Sequence, residues 1–281
     1  MRLLFFCLLS PFLLFAQEKS PYSVFTKSGK KTSYAKLLRQ AIKSEVVLFG
    51  EYHDNSVVHW LELELAKDLS RATSLALGAE MVEADNQAQL NAYLVGTINQ
   101  KQLDSTARLW PNHKTDYKPL VDWAKEKKLS FIATNIPRKY ASLVYKKGFN
   151  VLLDLPEQEK SWMAPLPIYY DASLPGYASM LAEMGGHGGE NLPKAQAIKD
   201  ATMAFFIGKN LPKKGVFLHY NGSYHSDNYE GIGFYLKRSN PNLRLLTIAT
   251  VTQADLNALA PENVSKADFI LVIDEDVTKT Y

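Results

Sequence analysis

The chain is nearly without cysteine. Its only one, Cys7, lies in an apolar run at the N-terminus. Beyond that run no thiol remains, so a disulfide, an iron–sulfur cluster and a thiolate-ligated metal are excluded. Any metal must be held by His, carboxylate or Tyr oxygen. Long apolar runs are also missing after the first residues. Charge of one sign is lacking too: 32 basic against 29 acidic residues leave a net +3. The basic residues fall in short pairs such as Lys30-Lys31, Lys146-Lys147 and Lys213-Lys214. Such a surface does not make a nucleic-acid footprint. No His-Glu-x-x-His, no Gly-x-x-x-x-Gly-Lys and no Gly-x-Ser-x-Gly occurs, which argues against common zinc proteases, nucleotide enzymes and serine hydrolases. There is no low-complexity segment and no short repeat.

The N-terminus reads as a secretory signal. Arg2 supplies the positive end, residues 3–15 are almost all apolar, and Ala16-Gln17 offers a cleavage point. The run is too short for a membrane span, which needs about 18 or more apolar residues. Phe6 precedes Cys7 where a lipid-attachment signal wants a small residue, so a lipid anchor is not expected. The expectation is a signal peptide over residues 1–16 and one exported domain over 17–281, periplasmic or secreted, with no transmembrane segment in the mature chain.

The rest alternates between short apolar runs and helical spacing. Residues 17–33 are polar and expected to be extended or ragged. Strands are expected over 46–50, 74–78, 129–134, 215–219, 243–249 and 269–273. Helices are expected over 34–44, from Asn55 or Ser56 onward with Val58, Leu61, Leu65 and Leu69 on one face, and over 84–94, 101–109, 117–127, 194–206 and 229–237. A further helix should follow Pro137. This pattern implies an α/β fold with a mainly parallel central sheet and helices on both faces. Residues 151–193, rich in Pro, Gly and Tyr, read as an insertion over the C-terminal strand edge. In such sheets ligands bind outside the carboxyl ends of the strands.

Chemistry-bearing residues collect at those ends. Gly50-Glu51-Tyr52-His53 follows the first buried strand, and a carboxylate two residues from an imidazole can bind a metal or orient a base. Asp54 or Asn55 could equally be a plain helix cap with His53 at the surface. Gly222-Ser223-Tyr224-His225 repeats the Gly-x-x-His pattern after a second apolar strand. If the two strands are neighbours, His53 and His225 converge. His219 reads rather as a satisfied buried histidine. Glu80 follows a third buried run, where a carboxylate is costly unless paired or liganding. Asn135-Ile136-Pro137-Arg138 places Arg138 at another strand-to-helix joint, where it could clamp a carboxylate, a phosphate or a haem propionate. His187 lies in a glycine-rich loop that reads first as flexible surface. Tyr169, Tyr170 and Tyr177 could line an apolar pocket or simply pack.

Taken in order, these motifs resemble a known family. Gly-Glu-x-His, the strand-terminal Glu80, Asn-x-Pro-Arg, a His-Gly loop followed by Gln196 and Lys199-Asp200-Ala201-Thr202-Met203-Ala204, and the late Gly-x-x-His are similar to the ChaN haem-binding uptake family of the Tiki/TraB/erythromycin-esterase superfamily. The resemblance covers roughly residues 35–250. It implies an α/β fold, haem as cofactor or cargo bound through a tyrosine, and a homodimer in which two haems can stack. Tyr169, Tyr170, Tyr177, His187 and Arg138 are the residues it points to for haem. The wider superfamily contains metal-dependent peptidases and an esterase, which implies an alternative: a divalent metal ion and hydrolysis at Glu51, His53, Glu80 and His225.

Overall fold

The computed structural model describes residues 19–183 and 189–281. The predicted signal peptide and His187 lie outside them. Eight strands make one sheet: β1 (Tyr22–Thr26), β2 (Lys31–Thr32), β3 (Val46–Glu51), β4 (Leu75–Glu83), β5 (Phe131–Asn135), β6 (Val216–Gly222), β7 (Leu245–Gln253) and β8 (Phe269–Asp274). Their order is β2-β1-β8-β7-β3-β6-β4-β5. All pairings from β8 to β5 are parallel, and β1 and β2 add an antiparallel edge. The helices are α1 (Tyr34–Ala41), α2 (Ser56–Ala72), α3 (Gln87–Leu94), α4 (Gln100–Thr106), α5 (Lys118–Lys127), α6 (Arg138–Lys147), α7 (Glu157–Lys160), α8 (Pro175–Glu183), α9 (Asn191–Lys209) and α10 (Ile232–Ser239). The fold is the α/β architecture with a mostly parallel sheet that the alternation of apolar runs and helical patterns implies.

Period-two alternation divides the core. Val47 and Phe49 of β3, with Leu218 and Tyr220 of β6, pack on one face against Leu61, Leu65 and Leu69 of α2 and Leu120 of α5. Val46 and Leu48, with Phe217, pack on the other against Ala201, Met203 and Ile207 of α9 and Leu236 of α10. Every residue of β3 and β6 is buried, as expected for central parallel strands covered on both faces. Asn55 caps α2 by accepting from the backbone N–H of Val57 and Val58.

Three departures from the sequence reading shape the molecule. Residues 22–26 form an ordered strand between β2 and β8, because Val24 and Phe25 are buried there and a tight turn at Gly29 (φ +76°) returns the chain. Strand β4 runs on to Glu83, and its pairing with β5 shifts between Ala79 and Glu83. Such irregularities re-aim side chains near functional sites, and Glu80 lies in this stretch. The expected helix over 229–237 starts only at Ile232, because 223–229 coil into short 3₁₀ turns. At Gly231 (φ +51°) a Cβ would stand 2.3 Å from the carbonyl oxygen of His225, so the chain passes there only as glycine. No helix among the described residues is long and apolar enough to cross a membrane.

Candidate functional site

Strand order does the gathering. β3 pairs with β6, and β6 with β4, so residues 51 and 222, which end β3 and β6, come beside residue 80 near the end of β4. Alternation points the two carboxylates to opposite faces. Glu51 turns toward α2 and α5, and Glu80 toward α9. Between them lies Gly222, where a Cβ would be 2.8 Å from Nε2 of His53 and 3.6 Å from Oε2 of Glu80. Glycine is what lets His53 cross over the end of β6 toward Glu80.

On the first side, Oε1 of Glu51 lies 2.5 Å from Nδ1 of His53 and accepts from the hydroxyl of Tyr117 at 2.7 Å. The ring of His53 meets Trp110 edge-on at 4.8 Å. Burial would raise the Glu51 carboxyl, but its contacts with His53 and His59 outweigh it and hold Glu51 well below the usual carboxylate range. Burial likewise lowers His53, and Glu51 more than reverses this, so the imidazole titrates above its ordinary value. His53 is the group of this set with an exposed edge, its side chain 30% accessible. With Glu51 behind Nδ1 and the side chain partly accessible, it can accept or deliver a proton.

On the second side, His225 is clamped between two acids. Nε2 lies 3.1 Å from Oε1 of Glu80, and Nδ1 lies 2.5 Å from Oδ1 of Asp200. Asp200 also accepts from Tyr177 at 2.8 Å, and Glu80 from the Gly222 N–H at 2.8 Å. Burial pulls His225 down, but Glu80 and Asp200 prevail and push it up to about 9. Glu80, raised by burial, is brought down to about 2 chiefly by His225. His219 stays apart. Its ring nitrogens meet Thr134 at 2.7 Å and Asn221 at 3.0 Å, and burial drops it to about 4.

Above these groups opens a cleft of about 860 Å³, lined among others by Glu51, His53, Gly222, Ser223, Asp227 and Glu230. Gly176 and Ser179 of α8 contribute to its wall, so part of the segment 151–193 does border the C-terminal strand ends. The structure thus places Glu51, His53, Glu80 and His225 together. As a metal set the donors differ from the sequence expectation. Among the described residues, it is Glu51, His59 and Glu62 that bring one donor each within 4.8 Å of one another.

The residues read for haem separate. Tyr177 is buried, and its hydroxyl is committed to Asp200. Tyr170 stacks on Tyr177 (5.8 Å) and meets Phe149 edge-on (5.5 Å). Arg138 is exposed at the start of α6, outside the cleft. Tyr169 is 44% exposed on the rim of a second groove of about 810 Å³. Pro165, Ile168, Phe205, Leu211 and Leu243 supply apolar wall there, and Lys209 and Arg238 supply charge.

Sequence reasoning missed Asp200, Tyr117, His59 and Glu62. For the last two a signal existed. They are polar residues three apart, interleaved with the apolar face of α2, and both are buried.

The family model for haem-binding uptake proteins of the ChaN type in the Tiki superfamily matches residues 37–236. The chain belongs to that family. Its fold matches the ChaN protein of Campylobacter jejuni, solved with cofacially bound haem, with a TM-score of 0.69 at 16% identity, covering 92% of this chain and 98% of that one. The fold is also similar to erythromycin esterase EreC, with a TM-score of 0.51 at 11% identity, covering 89% and 97%. A Bacillus cereus protein matches with a TM-score of 0.51 at 13% identity, covering 85% and 90%. No curated protein matches this sequence.

Proposed function

We propose that this ChaN-family chain is an exported protein that binds haem for iron or haem uptake, and that it does so in the groove beside Tyr169. One observation carries the placement. Of Tyr169, Tyr170 and Tyr177, only Tyr169 presents a half-exposed ring on an apolar groove flanked by cations. The guanidinium of Arg238 lies 3.6 Å over the centre of that ring, and Phe234 packs at 6.0 Å. A tyrosine oxygen is a known axial ligand for ferric haem. Apolar walls suit the macrocycle, and Lys209 and Arg238 suit its propionates. Haem held there supplies iron as cargo. The protein's part is to ligate it, cover one face and neutralise its acids. The tyrosine ring opens to the surface, which leaves a face for a second copy.

The test is a hemin titration of the full chain followed at the Soret band. Wild type should give a saturable shift, and Tyr169→Phe should alter the band and weaken binding. His53→Ala should leave both as they were. An unchanged spectrum on mixing hemin with wild type would remove this reading.

A second reading is favoured by the other cleft. Glu51 and His53 line a cleft of enzyme-like size, with the buried Glu80–His225 pair on the other side of Gly222, an arrangement that suits hydrolysis with His53 as the base. An ester and peptide panel turned over by wild type but not by His53→Ala supports it. A uniformly blank panel dismisses it.

A further inference from the structure

Below the cleft, Glu51 faces a second way. Its Oε1 is taken by His53 and Tyr117, but its Oε2 is buried without a hydrogen-bond partner among the described residues. That oxygen lies 3.3 Å from Nδ1 of His59, outside hydrogen-bond geometry. From the same helix, Glu62 sets its Oε2 3.2 Å from the same nitrogen and leaves Oε1 buried and unpartnered as well. Glu51 is 1% exposed and Glu62 2%. A buried carboxylate oxygen without a hydrogen bond is costly, and here there are two, with the His59 ring as the ion-pair partner of both acids.

The imidazole between them is already oriented from behind. Nε2 of His59 lies 3.1 Å from the carbonyl oxygen of His53 and 3.6 Å from Oδ2 of Asp116. That carbonyl also accepts from Asn112 at 3.0 Å, and Asn112 donates to Asp116 at 2.7 Å. With the ring proton on Nε2, donated to the carbonyl, the lone pair of Nδ1 points between two carboxylates. Three electron-rich donors then lie within 4.8 Å of one another. Metal-bound histidines are held in this way, with the far ring nitrogen donating to a backbone carbonyl or carboxylate. Tyr117 and His53 fix the far oxygen of Glu51 in the same manner.

We propose that Glu51, His59 and Glu62 form a buried site for a divalent transition-metal ion, which ties α2 to the end of β3. One imidazole with two carboxylates suits zinc or manganese better than magnesium or calcium, which prefer all-oxygen donors. The site is separate from the Glu51–His53 and Glu80–His225 pairs and shares only Glu51 with them. Through Glu51 the ion draws charge from the carboxylate that holds His53. The proposal does not rest on haem binding, and metal content is read independently of the Soret band.

The experiment is calorimetric titration of chelator-treated full chain with Zn²⁺ and, separately, Mn²⁺. Wild type should take up about one equivalent of at least one of them, with proton release as the ligands deprotonate. Glu62→Gln should weaken that binding at least about tenfold, and Tyr117→Phe by about tenfold through loss of support to Glu51. His225→Gln should not change it. Should Glu62→Gln fail to fold, X-ray absorption at the zinc edge of the wild-type complex decides. A single imidazole among light scatterers supports the site, whereas two imidazoles place the ion on His53 and His225 and overturn it. No uptake of either ion by wild type, or loss of uptake in His225→Gln with retention in Glu62→Gln, also overturns it.

Discussion

The Cα of Gly222 is the hinge of the site: a Cβ on it would stand 2.8 Å from Nε2 of His53, while the same residue's N–H donates to Glu80 at 2.8 Å. One residue therefore sets the spacing between the two imidazole–carboxylate pairs. Gly222→Ala should push the His53 ring out of place. The cost should be about 1–3 kcal/mol of stability, as for overpacking elsewhere. In an NMR titration the variant's His53 should move back toward the ordinary imidazole value, because its contact with Glu51 and Glu80 is loosened. An unmoved His53 titration in a stable variant would show that the close approach is not needed.

The pair formed by Asp200 and His225 gives a pH signature. His225 titrates at about 9 when folded and near 6.5 when unfolded. Its raised value means that the folded state holds the proton more tightly. The stabilisation is complete below about 6.5 and is lost as pH rises through about 9. Asp200→Asn removes one of the two acids, so the variant should lose less stability than wild type between those limits. Denaturant unfolding at pH 6, 7.5 and 9 reads this difference directly. Parallel curves for the two proteins would contradict it.

Tyr177→Phe separates packing from haem binding. The hydroxyl it removes satisfies Oδ2 of the fully buried Asp200. Leaving that oxygen unpaired should cost about 1–3 kcal/mol. Hemin affinity should stay at the wild-type value, since Tyr177 is buried and does not line the Tyr169 groove. Equilibrium unfolding and a hemin titration on the same preparation check both halves.

Much of this arrangement is legible in the sequence. The run over residues 46–50, apolar throughout, suits a strand covered on both sides, and the glycine ending it signals a sharp exit to Glu51 and His53. The same logic locates His225. Other parts are hidden for physical reasons. Glu80 and Glu51 come to either side of Gly222 because β6 inserts between β3 and β4, and strand order is a long-range property that local pattern does not encode. His59 and Glu62 disappear into the amphipathic pattern of α2, because a buried polar pair shows only when the opposing Glu51 is in place. Asp200 lies inside one of the family-like motifs, but its role depends on α9 crossing the sheet at His225. The strand at residues 22–26 escapes notice because a five-residue strand with one strongly apolar pair resembles a polar lead-in.

Arg238 should matter to haem through charge and stacking together. Arg238→Ala removes the cation over the Tyr169 ring and one candidate propionate partner. Hemin affinity should fall by about tenfold, equivalent to about 1.4 kcal/mol. Arg238→Lys should recover only part of it, because an ammonium lacks the planar face that stacks on the ring. Full recovery by lysine would mean that charge alone acts.

Resonance Raman spectroscopy of the hemin-loaded chain, excited in the iron–phenolate charge-transfer band, reads the iron ligand itself. Phenolate modes should appear in wild type and in Tyr170→Phe, and should vanish in Tyr169→Phe. Phenolate modes that persist in Tyr169→Phe, or that never occur in wild type, would contradict ligation of haem at the Tyr169 groove.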